Sequence, residues 1–184
     1  MKKILFTLAI GLATLMSCES DLVNRPPAPD GTLDDTVGVT TGDLVGSWRM
    51  ISLNYEGSTV TSVQGTDFTA DFVGVGSDYN YEIEFTEAPN NYSSTGTYDI
   101  ELTTTVAGQT TVNNEDDLDA SSNGSWDKNA NVLTLTSNGQ TSDANIQILS
   151  DTTLKFTVTE ETSISEQGVN AETSVTTVSI FERL

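Results

Sequence analysis

The chain contains no histidine, a single cysteine, four prolines, and seven lysines and arginines against 27 aspartates and glutamates. Each scarcity excludes something. Without histidine there is no imidazole general base, no Ser–His or Cys–His nucleophile pair, and none of the common zinc sites. One cysteine makes no intramolecular disulfide. A net charge of −20 leaves no cationic patch to neutralise phosphates, so the chain does not read as a nucleic-acid binder. Neither a Gly-x-Ser-x-Gly elbow nor a P-loop occurs. Glu82 and Glu84 share the polar side of one alternating run, and adjacent Glu160 and Glu161 point oppositely if extended, so neither couple reads as a glycosidase pair. The expectation is a protein that is not an enzyme and needs no cofactor. What is plentiful is serine and threonine, and β-branched threonine suits a pleated, half-wet surface.

The most specific segment is the N-terminus. Lys2 and Lys3 precede an apolar stretch from Ile4 to Met16, too short to span a bilayer. It ends in Leu15-Met16-Ser17-Cys18. This resembles the bacterial lipobox, which implies diacylglyceryl attachment to the Cys18 sulfur, cleavage after Ser17 and acylation of the new N-terminus. Residues 1–17 are then a lipoprotein signal peptide. Losing Lys2 and Lys3 takes the charge from −20 to −22, and anionic lipid repels such a body, so acyl chains must hold it at the membrane. The expected location is the outer membrane of the cell envelope, periplasmic or surface-exposed.

Residues 18–42 carry Pro26, Pro27 and Pro29 among Gly, Asp and Thr, with no sustained period. They read as a disordered tether. Fully extended, roughly 25 residues reach about 80 Å.

After Gly42 the pattern changes to short alternating runs. Phe68, Ala70 and Phe72 alternate with acids and threonine, as do Tyr81, Ile83 and Phe85, and Tyr98, Ile100 and Leu102. Leu133 and Leu135, Ile146 and Ile148, and Leu154, Phe156 and Val158 repeat the period of two. Such runs are antiparallel strands wet on one side. Ala88-Pro89-Asn90-Asn91, Ser137-Asn138-Gly139 and Ser150-Asp151 are turn clusters between them. The polar segment Thr159–Thr173 reads as an insertion before the last strand. Eight or more strands in roughly 140 residues must close, or stack as two sheets, to protect their edges. The fold class is all-β.

Gly46-Ser47-Trp48 opens the first strand and Glu182-Arg183-Leu184 ends the last, with Gly96-Thr97-Tyr98, Gly124-Ser125-Trp126 and Leu133-Thr134-Leu135-Thr136 between. This order resembles the lipocalin-like domains of Gram-negative lipoproteins. The resemblance covers residues 43–184. It implies an up-and-down barrel of about eight or more strands, with Trp48 plugging one end and Arg183 lying across its ring.

Asp127-x-Asn129-x-Asn131 has the opening spacing of a calcium loop, but Val132 and Asn138 stand where Gly and Glu are needed. It reads as a polar turn. Glu115-Asp116-Asp117-x-Asp119 reads as a solvated loop, so no metal site is expected. Phe68, Phe72, Tyr81, Ile83, Phe85, Tyr98, Ile100 and Phe156 form the apolar face, and they are either packed core or the wall of a ligand cavity. Two functions follow. In one, the barrel binds a small apolar or amphipathic ligand without covalent chemistry. In the other, a filled barrel is an interaction module whose acidic loops meet protein or glycan.

Overall fold

The structure is a computed structural model that describes residues 41–166 and 169–184. The segment read as a signal peptide, Cys18 and most of the segment read as a tether lie outside the described residues. Nine strands follow in chain order: β1 Gly46–Val63, β2 Thr66–Thr86, β3 Asn91–Val106, β4 Gln109–Asp119, β5 Ser122–Asn129, β6 Val132–Ser137, β7 Gln140–Leu149, β8 Thr153–Glu166 and β9 Val169–Arg183. All pairings are antiparallel, and no helix occurs among the described residues. The alternating runs become strands because one side of each must leave water. Three of the connections are tight hairpins with both central residues at positive φ: Gln64-Gly65, Ala107-Gly108 and Asn138-Gly139. That turn matches the right-handed twist of the flanking strands.

The sheet closes into a ring. β1 pairs with β2, β2 with β3, β3 with β5, and the order continues through β6, β7 and β8 to β9, which returns to β1. β4 stands apart from this ring: it continues the line of β5 along the far half of β3, from Thr97 to Val106.

Strand lengths are unequal, and this shapes the molecule. β1, β2 and β3 run 18, 21 and 16 residues, whereas β5 and β6 run only 8 and 6. β7 meets β8 only between Asn145 and Leu149, so β8 beyond Thr157 pairs with β9 alone. The result is a closed floor half and, rising from it, a six-stranded wall in the order β8–β9–β1–β2–β3–β4. By strand rise and spacing the wall above Tyr55 is about 26 Å tall and about 24 Å wide.

The core fills the floor. Trp48, Phe85, Leu133, Ile146, Leu149, Leu154 and Phe181 are fully buried there. Two bulges keep the apolar side facing in. In β2 the register with β3 slips between Ser77 and Asn80, where Asp78 has φ 47°. Even-numbered Phe68, Phe72 and Gly76 thereby share the inner face with odd-numbered Tyr81, Ile83 and Phe85. A slip between Met50 and Ser52 does the same for Met50 and Leu53 in β1. A bulge restores the face that a one-residue slip would invert.

Two sequence expectations change. Thr159–Thr173 is not a polar insertion: it is the distal half of β8, the connection, and the start of β9. Glu115–Asp119 is not a loop but the end of β4. Thr159–Thr173 stands in the wall, where no second layer among the described residues covers either side, and in Glu115–Asp119 only Leu118 packs against the core. Without a buried face, alternation in hydrophobicity disappears from the sequence.

Candidate functional site

The inner face of the wall can be built row by row from the register. The first row above the floor reads Val158, Thr177, Tyr55, Gly74, Leu102 and Asn113 across β8, β9, β1, β2, β3 and β4. The next reads Glu160, Val175, Gly57, Phe72, Thr104 and Thr111. Glycines alternate with aromatics across these rows. A Cβ on Gly74 would run into the Tyr55 ring, and one on Gly57 would meet Phe72. The rings therefore lie down over the glycines. Tyr55 and Phe72 meet edge to face at 6.3 Å between centroids. Tyr79 likewise covers Gly76, and its hydroxyl accepts the Leu53 N–H at 3.0 Å. Rings laid on glycine give the sheet a flat aromatic surface.

Toward the tip the face stays open but turns mixed: a row holding Thr162, Thr173, Thr59 and Gln109 precedes Ile164 and Phe68. Phe68 is 56% exposed and Ile164 63%, with Val106 and Val169 also exposed on the same face. Toward the floor it runs into Tyr81 and Tyr98, edge to face at 6.1 Å, and then into Phe156, stacked on Phe181 at 5.5 Å. Burial pushes the phenols of Tyr81 and Tyr98 above the ordinary tyrosine range, and the Ser94 hydroxyl beside Tyr81 works the other way. Tyr55 is also raised, chiefly by burial and further by Tyr98 and the Glu115 carboxylate. Glu115 pairs with Ile100, which puts it on this face at the β4 edge.

The eight aromatic and aliphatic residues named from the sequence all lie on the inner face, yet they do not surround one cavity. Ile83 and Phe85 are packed in the floor, with Ile100 and Phe156 buried just above. Tyr81, Tyr98 and Phe72 are half-buried, and Phe68 is exposed near the tip. Two open concavities lie on the wall. One, of about 400 Å³, is bordered by Glu56, Ser58, Asp71 and Val73 on the outer side of the wall. The other, of about 390 Å³, sits at the tip beside Phe68 and Val106. Neither touches Tyr81 or Tyr98. Sequence reasoning left Tyr55, Leu102, Val106 and Ile164 out of the site. The first two belong to alternating runs, whereas Val106 and Ile164 stand among threonines and serines that mask the period.

The floor is closed by Trp48 and Arg183. The Arg183 guanidinium carbon lies 4.1 Å from the Trp48 ring centroid, and the indole N–H donates to the Leu44 carbonyl at 2.9 Å. The chain arrives at this end: the N–H groups of Thr41 and Gly42 donate to the Leu149 carbonyl. The wall points the other way. Among the described residues, no three acidic or thiol groups converge to hold a metal ion.

No protein-family model and no curated protein matches the chain. One solved structure similar to it is a polyisoprenoid binding domain from Saccharophagus degradans implicated in plant cell wall breakdown. The likeness spans 76% of this chain and 99% of that one, at 10% identity and a TM-score of 0.26. At that TM-score it transfers neither fold nor ligand. The site rests on its own geometry.

Proposed function

We propose that this is a lipid-anchored protein of the outer membrane that binds an amphipathic ligand on the inner face of its wall, without covalent chemistry. One observation carries this reading: the inner face of the wall presents Tyr55, Phe72, Leu102, Phe68, Val106 and Ile164, interrupted by a row of threonines, and no second layer among the described residues covers it. The filled floor means that the ligand lies on the sheet above the barrel rather than inside it. The lipobox at Leu15–Cys18 supports the anchor, and Arg183 over a fully buried Trp48 supports the lipocalin-like reading of the barrel.

Magnitudes limit the ligand. Full burial is worth about 0.8 kcal/mol per CH₂, and a chain lying on an open face gains about half of that. A dodecyl chain then gains about 5 kcal/mol, which barely exceeds the smallest association cost of about 4 kcal/mol. A purely apolar ligand binds weakly here. A polar head must add to the chain.

The other reading, an interaction module for protein or glycan, draws on the distal edges of β4 and β8, which pair with no further strand among the described residues. Those strands carry Glu115, Asp116, Asp117, Glu160, Glu161 and Glu166. Charged edge strands oppose strand addition, so the face is favoured over the edge. Native mass spectrometry of the protein purified from its own host tests this. A bound small molecule is expected, lost in Phe68→Ser/Ile164→Ser. The bare chain mass in both forms would overturn the reading.

A further inference from the structure

We infer that the ligand's head is cationic. This deepens the proposed function and rests on it. The described residues hold four cationic side chains, and all stand in the floor half: Arg49 beside Glu182, Lys128 opposite Leu133, Lys155 opposite Ile180, and Arg183 over Trp48. Above the row of Tyr55, the wall contains no lysine or arginine. Its inner face instead carries carboxylates along the β8 edge, and one more stands at the β4 edge a row toward the floor from Tyr55. Glu115 enters from β4 in register with Ile100, close enough to raise the Tyr55 phenol. Glu160 enters from β8, in the row of Val175, Gly57 and Phe72, and Glu166 stands nearer the tip in register with Val169. Above the row of Tyr55 the outer face adds Glu56, Asp71 and Glu172, again without a cation.

A face of rings and aliphatic side chains with carboxylates along β8 and at the floor end of β4 selects its ligand twice over. Flat rings and aliphatic side chains take a hydrocarbon body. The carboxylates repel an anionic head, gain little from a neutral one and attract an ammonium or guanidinium group. The tyrosine faces add to this, because a cation over an aromatic ring is drawn to its negative face. The complementary occupant is a cationic amphiphile.

Titration calorimetry of the purified full chain, below each detergent's micelle threshold, tests this with one alkyl length and three heads. The probes are dodecyltrimethylammonium, dodecyl maltoside and dodecanoate. The expected result is binding of the ammonium compound about tenfold tighter than the maltoside, with dodecanoate weakest. Glu115→Gln/Glu160→Gln should weaken the ammonium compound by about three- to tenfold and leave the maltoside unchanged. Glu84→Gln, on the outer side of the floor half, should change neither. Equal affinity for ammonium and maltoside would overturn the cationic head while leaving the apolar face intact. An equal loss in Glu84→Gln would overturn it too, by showing attraction to net charge alone. No binding of any probe would overturn both readings.

Discussion

Arg183 clamps the first strand to the last. Its guanidinium carbon stands 4.1 Å from the centroid of Trp48 while its nitrogens donate to the carbonyls of Val45, Asp43 and Asp151. Gly46 is left bare beneath it: a Cβ there would lie 2.6 Å from the Arg183 Nη1, and φ is +133°. One side chain thus seals the barrel floor and fixes the segment by which the chain arrives.

Trp48 is fully buried, so Trp48→Ala should cost about 3–5 kcal/mol. Arg183→Gln loses the cation–π contact and part of the carbonyl network, an expected cost of about 1–3 kcal/mol. Urea unfolding measures both. A change below about 1 kcal/mol for Trp48→Ala would place the residue outside the cooperative core.

The Tyr55 ring occupies the space above Gly74, and the three atoms nearest to a Cβ there belong to that ring. Gly74→Ala should therefore displace Tyr55 and cost about 1–3 kcal/mol. In Tyr55→Ala the same change should cost much less, giving a coupling of about 1 kcal/mol or more. Additive costs would show that the glycine serves the backbone and not the ring.

The tyrosine cluster sets an alkaline limit. Tyr55, Tyr81 and Tyr98 have phenols held above their ordinary value of 10.0, first by burial. Folded chains thus keep these protons where unfolded chains release them. The stabilisation is fully present below the unfolded value and is lost as pH rises through the folded values. Tm should fall above pH 10.0, with ultraviolet absorbance showing delayed ionisation. Tyr81→Phe/Tyr98→Phe should flatten that fall. An unchanged slope would show that the two phenols ionise as in solvent.

How much of this could be read from the sequence depends on what each residue faces. Tyr81, Ile83 and Phe85, or Leu154 and Phe156, alternate cleanly because one side meets the core and the other water. The barrel's all-β class and its turns at Ser137–Gly139 and Ala88–Asn91 were legible for that reason. Ile164, Ala171 and Val169 were not, because they sit on a wall with water on both sides, among Thr, Ser and Glu. Strand length was equally hidden. Nothing local in β6 says that it stops at six residues while β2 runs on to 21, and that inequality is what opens the site. The bulge at Asp78 hid the continuity of Phe68 and Phe72 with Tyr81, since it joins runs of opposite parity.

Anchoring has its own test. Cys18→Ala should abolish lipid modification and move the protein from the detergent phase to the aqueous phase. Unchanged partitioning of that variant would contradict the lipobox.

The most direct measurement of the central claim is methyl-resolved NMR of the protein titrated with dodecyltrimethylammonium. If the ligand lies on the wall, the methyls of Leu102, Val106, Val158 and Ile164 shift together, while those of Leu133, Ile146 and Leu154 in the floor stay fixed. Outer-face Val73 and Val75, exposed but on the opposite side, should stay fixed as well. Shifts at Leu133 and Ile146, or at Val73 and Val75 with none at Leu102, would contradict the account.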